Sequence, residues 1–375
     1  MDTPVKDLEI SATHAIFVSD IHFGVHVNSE EWQENIKNYF YNFFIPKIKE
    51  IKSSLKDGEN LVCLNLGDTY NDRKAIDINV YNLCIDVFED IAKEIPVYII
   101  NGNHDLAKKT NEGNTSLRSL EYIPNITVIT EPTFIKVNAG EKKSSIIAIP
   151  YLGNSELENN YLINYSGKAK YALMHTELSK MKMDNGMLIT GGANPEVFKG
   201  LIFAGHIHRR QESKKAIYVG SPYHLNKGDI GNKNGIYVLN FLTNKYTFTE
   251  NIYSPIYHSI TIEDYSKLNE DDRLKFLNNN YNFVLIPEDD LANWKKKYDI
   301  YDLGAGSTAK FVKPLIVKHK QTIIAEEEND YKEKTIEELL YESIDQLDID
   351  DDTKKRLDKL SDVYLKDAEN KLMND

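Results

Sequence analysis

The sequence predicts an α/β protein with two sheets packed face to face and flanked by helices, then a small α+β unit and two C-terminal helices. Three observations lead there. From Ala15 to about Pro255, short apolar runs alternate with helical patterns. At Tyr253-Ser254-Pro255 the alternation breaks and a shorter mixed segment begins. After a polar linker, residues 326–334, two amphipathic stripes follow. The expected divisions are therefore 1–255, 256–325 and 326–375.

The elements follow in chain order. Ile16-Phe17-Val18 is strand-like. Residues 30–56 read as mostly helical, with Trp32, Tyr39, Phe40, Phe43 and Phe44 as a core stripe, and Pro46 as the point that kinks or divides the helix. Leu61-Val62-Cys63-Leu64 is a strand, residues 76–93 a second helix, and Val97-Tyr98-Ile99-Ile100 another strand. From Asn125 strands crowd, at 126–129, 134–137 and 146–149. Tyr171-Ala172-Leu173-Met174 and Leu201-Ile202-Phe203-Ala204 continue the series. Residues 236–240 and 246–250 form a hairpin around Thr243-Asn244. The smaller unit offers strands at 259–262, 281–286 and 314–317 and a helix at 271–277. In the tail, Thr335-Ile336-Glu337-Glu338 is a capping box. It opens a stripe of Ile336, Leu339, Leu340, Ile344 and Leu347, and Leu357, Leu360, Tyr364, Ala368 and Leu372 make a second.

Composition bounds the class. A chain of 375 residues with 41% hydrophobic residues can bury a large core and fits two or three domains. Cys63 and Cys84 lie within apolar patterns and are expected to pack as small hydrophobes, which suits a reducing cytoplasm. No basic and apolar leader opens the chain, and no apolar run is long enough to span a membrane. A net charge of −13 argues against a protein that simply coats DNA. It does not argue against DNA as substrate, because bound cations add positive charge that residue counting omits. Arg73-Lys74, Lys108-Lys109 and Arg209-Arg210 are the cationic pairs nearest the motifs, each of which read alone is an ordinary solvated surface.

The strand-like runs of the first region end on polar residues of one chemical kind. Asp20-Ile21-His22 follows the first, Gly67-Asp68 the second, and Gly102-Asn103-His104-Asp105 the third. His175 and Gly205-His206-Ile207-His208 follow the last two. One His or Asp at a strand end is most often a cap or a satisfied polar group. This many, in this order, predict ligands converging on one edge of a sheet. Two divalent ions about 3.5–4 Å apart need a bridging carboxylate, and Asp68 is the natural bridge. Asp20, His22 and His208 would complete one ion, and Asn103, His175 and His206 the other. Mixed His, Asp and Asn ligands without thiolate suit Mn²⁺ or Fe²⁺, and also Zn²⁺; of these Mn²⁺ is taken as the expected ion, a choice the ligand types leave open. His104, beside a ligand without needing to be one, is the expected catalytic acid or transition-state contact.

These motifs resemble those of calcineurin-type metallophosphoesterases, D-x-H, G-D-x-x, G-N-H-[DE], H and G-H-x-H. Within that superfamily the chain resembles the SbcD/Mre-type DNA repair nucleases, and most closely their tailed-phage relatives, the recombination endonuclease subunits. The narrower likeness rests on residues 19–24, Gly67-Asp68-Thr69-Tyr70-Asn71-Asp72-Arg73-Lys74-Ala75, the Gly102 motif, and Gly220-Ser221-Pro222 after the last histidines. It covers about residues 14–255. Cellular members carry a substrate-facing His three residues after the bridging Asp; here it is Asn71, and an amide cannot transfer a proton. Asn71 and Arg73 are the expected substrate-binding residues.

The resemblance implies a metal-dependent DNA endo/exonuclease, the nuclease subunit of an ATPase–nuclease complex in recombination, repair or replication, in a bacterial host cytoplasm if phage-encoded. It implies that the small unit caps the site and guides DNA; a purely structural unit is the other reading. It implies that the C-terminal helices bind an SMC-like SbcC/Rad-type ATPase, against the alternative that they pack on the parent domain. Homodimers are common in that family. Two rivals stand: a metallophosphoesterase for a small phosphodiester or phosphoprotein, and a scaffold with a vestigial site. Phosphoprotein members carry an Arg before the Gly-Asn-His motif, where this chain has Asn101.

Overall fold

The computed structural model describes residues 5–107, 114–299 and 302–317. Lys108-Lys109 and the tail from residue 318 on, with its expected linker and helices, lie outside the described residues.

The strands are β1 (Lys6–Ser11), β2 (His14–Val18), β3 (Leu61–Asn65), β4 (Val97–Ile100), β5 (Ile126–Ile129), β6 (Thr133–Ala139) and β7 (Lys142–Ile149). They continue as β8 (Tyr171–His175), β9 (Leu201–Gly205), β10 (Gln211–Glu212), β11 (Ala216–Tyr218), β12 (Gly235–Asn240) and β13 (Lys245–Glu250), then β14 (Tyr257–Thr261), β15 (Tyr281–Pro287) and β16 (Phe311–Val317). One sheet has the order β13-β12-β2-β3-β4-β5, and a second the order β1-β6-β7-β8-β9-β11-β10. β2 to β5 run parallel, as do β7, β8 and β9.

Period-two alternation explains why these strands read as unbroken apolar runs. On β2, Ala15 and Phe17 face the space between the sheets, while Ile16 and Val18 face helices. On β8, Tyr171 and Leu173 join the inter-sheet core, and Ala172 and Met174 the outer one. Phe17 and Phe203, from opposite sheets, stack with ring centroids 4.3 Å apart. Both faces of both sheets are thus covered, and the four layers are helix, sheet, sheet and helix.

The helical segment after Ser29 does not end at Pro46. Helix Glu30–Tyr39 runs into a π-turn, Phe40–Phe44, and then into helix Ile45–Ser54. The Ile45 N–H bonds back to Phe40 O, five residues away. That shift of register places Pro46 in a first turn, where its missing N–H costs little. Asp77 caps the long helix Ile78–Glu94 by accepting from the N–H groups of Asn79 and Val80.

After Pro255 lies a three-stranded parallel sheet, β14-β15-β16, with its own apolar cluster of Ile262, Tyr265, Leu277, Val284, Ile286 and Leu303. β14 stops at Thr261, one residue earlier than the sequence pattern suggests. The Thr261 hydroxyl accepts the Asp264 N–H and starts a short helix at Ile262. Tyr281 ties this sheet to the first helix: its ring stacks on Trp32, and its hydroxyl accepts from Asn35 at 2.7 Å and donates to Glu31 at 3.0 Å. Among the described residues no helix is long and apolar enough to cross a membrane.

Candidate metal centre

The ligand-bearing strands occupy both sheets, not one edge of one sheet as the strand-end pattern suggested. β2, β3 and β4 belong to the six-stranded sheet, and β8 and β9 to the seven-stranded one. Face-to-face packing brings the C-terminal ends of the two sets together. Asp20 and His22 follow β2, Asp68 follows β3, and Asn103 and His104 follow β4. His175 ends β8, and His206 and His208 follow β9.

The β2–β3 pairing continues past the strands as a loop clasp. Asp20 N–H donates to Gly67 O at 3.0 Å, His22 N–H to Asp68 O at 3.1 Å, and Phe23 N–H to Thr69 O at 2.8 Å. Two glycines make the close approach possible. Gly67 has φ +96°, and a Cβ there would lie 2.6 Å from Gly102 N and 2.7 Å from His175 Nδ1. A Cβ on Gly102 would overlap Asp68 N and Oδ1. Four non-glycine residues here hold the left-handed region: Asp20 (53°), His22 (53°), Asp68 (52°) and His206 (94°). Such backbone persists only where its surroundings enforce it. Behind them the Tyr223 hydroxyl donates to Ile21 O at 2.6 Å, and Ser221 N–H to His208 O at 3.0 Å.

The donor atoms form two groups that meet at Asp68. In the first, atoms of Asp20, His22 and His208 lie within 4.8 Å of one another. His22 Nε2 and His208 Nε2 are 3.0 Å apart. Asp20 Oδ1 accepts the His206 N–H at 3.0 Å, while its Oδ2 is buried without a hydrogen-bond partner. In the second group, Asn103 Oδ1 lies 3.0 Å from His175 Nε2 and 2.8 Å from His206 Nδ1. Asp68 Oδ2 lies 3.3 Å from His175 Nε2 and 3.7 Å from His22 Nε2, between the groups. Asp68 Oδ1 accepts the His104 N–H at 2.8 Å.

The chemistry of this donor set fits divalent cations. His175 Nδ1 donates to Leu66 O at 2.7 Å, so a neutral ring turns a bare lone pair at Nε2 toward two oxygen acceptors. Only a proton or a cation relieves that contact. Burial opposes a charge on His175, but Asp68 and Asp20 override it and raise the ring to about 9. A metal ion would compete with that proton, as ligands must be deprotonated to bind. Burial raises Asp20; it also works against an ionised Asp68, but His175 and His22 hold that carboxyl well below the usual range. Burial, with His175, lowers His206 to about 3 and so keeps its lone pair free.

His104 Nδ1 lies 2.7 Å from Asn71 O, which fixes it as the donor and leaves Nε2 to exchange protons. Its ring meets His22 edge-on, centroids 5.0 Å apart, and a third donor group joins it to His22 and Asp68. Asn71 contributes its main chain to this arrangement. Arg73 lines a neighbouring groove of about 310 Å³ with Lys74, Thr115 and Arg118. Arg210 is occupied internally, by Glu212 at 2.8 Å, the Tyr237 hydroxyl at 3.0 Å and the Phe248 ring.

Sequence reasoning passed over two neighbours, Tyr151 and Glu177, and quoted a third, Asp105, without giving it a role. Tyr151 lays its ring 6.2 Å from that of His206. It follows β7 after one proline, so the strand-end rule could have found it. Glu177, two residues after His175, reaches 3.9 Å from His206 Nε2. Asp105 is completely buried and binds backbone of both the Asp68 and Asn103 loops.

The chain is similar to known proteins. Exonuclease subunit 1 of Enterobacteria phage T4 is 26% identical over 265 residues, 67% of this chain and 74% of the relative. The family model for calcineurin-like phosphoesterases matches residues 13–210, more than half of the chain and a span that contains all the donors above. The chain therefore belongs to the calcineurin-like phosphoesterase family.

Proposed function

We propose that the chain is a two-metal DNA endo/exonuclease, the nuclease subunit of an SbcCD/Mre–Rad-type ATPase–nuclease complex. One observation carries the metal reading: Asp68 Oδ2 stands between two donor groups, facing His175 on one side and His22 on the other. Asp20, His22 and His208 would hold one cation, Asn103, His175 and His206 the second, with Asp68 shared and Mn²⁺ as the ion. Divalent cations bound there would neutralise charge on a phosphodiester and lower the pKa of water beside it.

The remaining chemistry belongs to side chains. His104, oriented by Asn71 O, would carry a proton at Nε2 to the leaving oxygen. Arg73, Lys74 and Arg118 would attract the strand's phosphates along their groove. The name of the phage relative, an exonuclease subunit, supports both DNA as substrate and a partner. In this reading the β14–β16 sheet caps the site and guides DNA, and residues 326–375 dock the ATPase.

The test is cleavage of single- and double-stranded DNA by purified protein with Mn²⁺, beside a small chromogenic phosphodiester. DNA should be cut with Mn²⁺ and not with a chelator. Hydrolysis of the chromogenic ester alone would favour an enzyme of small phosphodiesters.

A further inference from the structure

A second recess opens beside the metal centre, and the reading above does not use it. It encloses about 270 Å³ and is bounded by Tyr151, Asn154, Glu158, Thr176, Glu177 and His206. His206 belongs to both sites, so a phosphate at the donor groups would place its substituent at the mouth of the recess. No Lys or Arg lines it, and it carries two carboxyls, so it is unsuited to a second phosphate. Glu158 is 1% exposed; its Oε2 accepts from the Thr176 hydroxyl at 2.7 Å, while its Oε1 is buried without a hydrogen-bond partner. A buried acceptor without a donor is costly, and a ligand N–H would supply what is missing. The half-buried Tyr151 ring also lines the recess and offers a flat aromatic surface, already stacked against His206.

A flat group with N–H donors, attached to a phosphate, is a nucleotide base. We propose that this recess receives the base next to the scissile phosphate, and that it prefers bases with an exocyclic amino group: adenine, cytosine or guanine. The base stacks on Tyr151, and its amino group donates to Glu158 and Glu177. Thymine has no such amino group, and its N3–H is flanked by two carbonyl oxygens that would face the carboxyls of Glu158 and Glu177 unfavourably. The inference rests on the nucleic-acid reading of the metal centre and adds a base preference to it.

Calorimetric titration of the full chain in excess Mn²⁺, above pH 7 where Glu158 is ionised and acts as an acceptor, tests it, with dCMP, dAMP, dTMP and deoxyribose 5-phosphate as probes. dCMP and dAMP should bind more tightly than dTMP by about tenfold, a usual scale for a specific polar contact to a base. All three nucleotides should bind more tightly than the baseless sugar phosphate, by about tenfold for stacking. Tyr151→Leu should abolish the advantage over the sugar phosphate, and Tyr151→Phe should restore it. Glu158→Leu, which removes the acceptor, should bring dCMP and dAMP down toward dTMP. Equal binding of all four probes by the wild type overturns the assignment, as does selectivity that survives Tyr151→Leu. Oligonucleotide cleavage on the same preparation separates the two readings. Cutting with equal binding would remove the base pocket and leave the nuclease standing; selective binding without cutting would do the reverse.

Discussion

Asp105 and Gly102 clasp each other across one turn: Asp105 Oδ2 accepts the Gly102 N–H at 2.9 Å. The other oxygen accepts those of Thr69 and Tyr70 at 3.0 and 3.2 Å. One carboxyl thus ties the loop of Asp68 to the loop of Asn103, and it acts through those loops. Asp105→Ala leaves three buried N–H groups without their acceptor. It should lower folding stability by about 2–4 kcal/mol and weaken metal binding. Denaturant melts and metal titration check the two halves, and near-normal metal affinity would show that the loops hold their shape unaided.

Asp68→Asn should lose metal and activity together. A neutral amide bridges two cations poorly, and Asp68 Oδ2 faces both donor groups. Metal analysis of the folded variant decides the point, and two retained ions with ordinary cutting would remove Asp68 from the bridge.

His104→Ala should keep both ions, since Asn103 and the histidines of each group remain. Cleavage should fall roughly 10²–10⁴-fold, the usual contribution of a positioned acid–base group. His104 also belongs to a third donor group with His22 and Asp68. Metal loss equal to that of Asp68→Asn would therefore make it a ligand.

Glu158 gives a pH-dependent stability term. Burial raises its carboxyl from 4.5 to about 7. Between those values the folded chain keeps a proton that the unfolded chain has released, so stability falls as pH rises through the window. Glu158→Gln removes that slope. Melting at a series of pH values should show the variant gaining on the wild type between about pH 4.5 and 7. Parallel curves would mean that the carboxyl titrates normally.

A chain ending near Glu326 should stay folded and keep Mn²⁺-dependent cleavage of short DNA. It should lose association with an SbcC-like ATPase and the ATP-stimulated activity on long duplexes. Thermal melting and co-purification test the two parts. Unfolding would assign the tail stripes to the parent core, and undiminished binding would move the docking surface to residues 256–320.

What was legible in the sequence followed chemical contrast. Asp20, His22, Asp68, Asn103, His175, His206 and His208 each interrupt an apolar run, and the structure brings all of them together. The partition of their strands between two sheets was not legible, because strands buried on both faces look alike in either sheet. Helix Ser155–Tyr165 was missed because its buried face mixes Glu158 with Tyr161 and Leu162, which blurs the apolar period. Pro46 marks the division of the helical segment, but the π-turn before it is not legible, since sequence marks the proline and not the register shift that accommodates it.

The left-handed backbones of Asp20, His22, Asp68 and His206 set folding against function. At each position glycine would relax the main chain and delete the donor in the same step. Selection for stability alone would thus favour glycine at these four positions, and only a use for the donors opposes it.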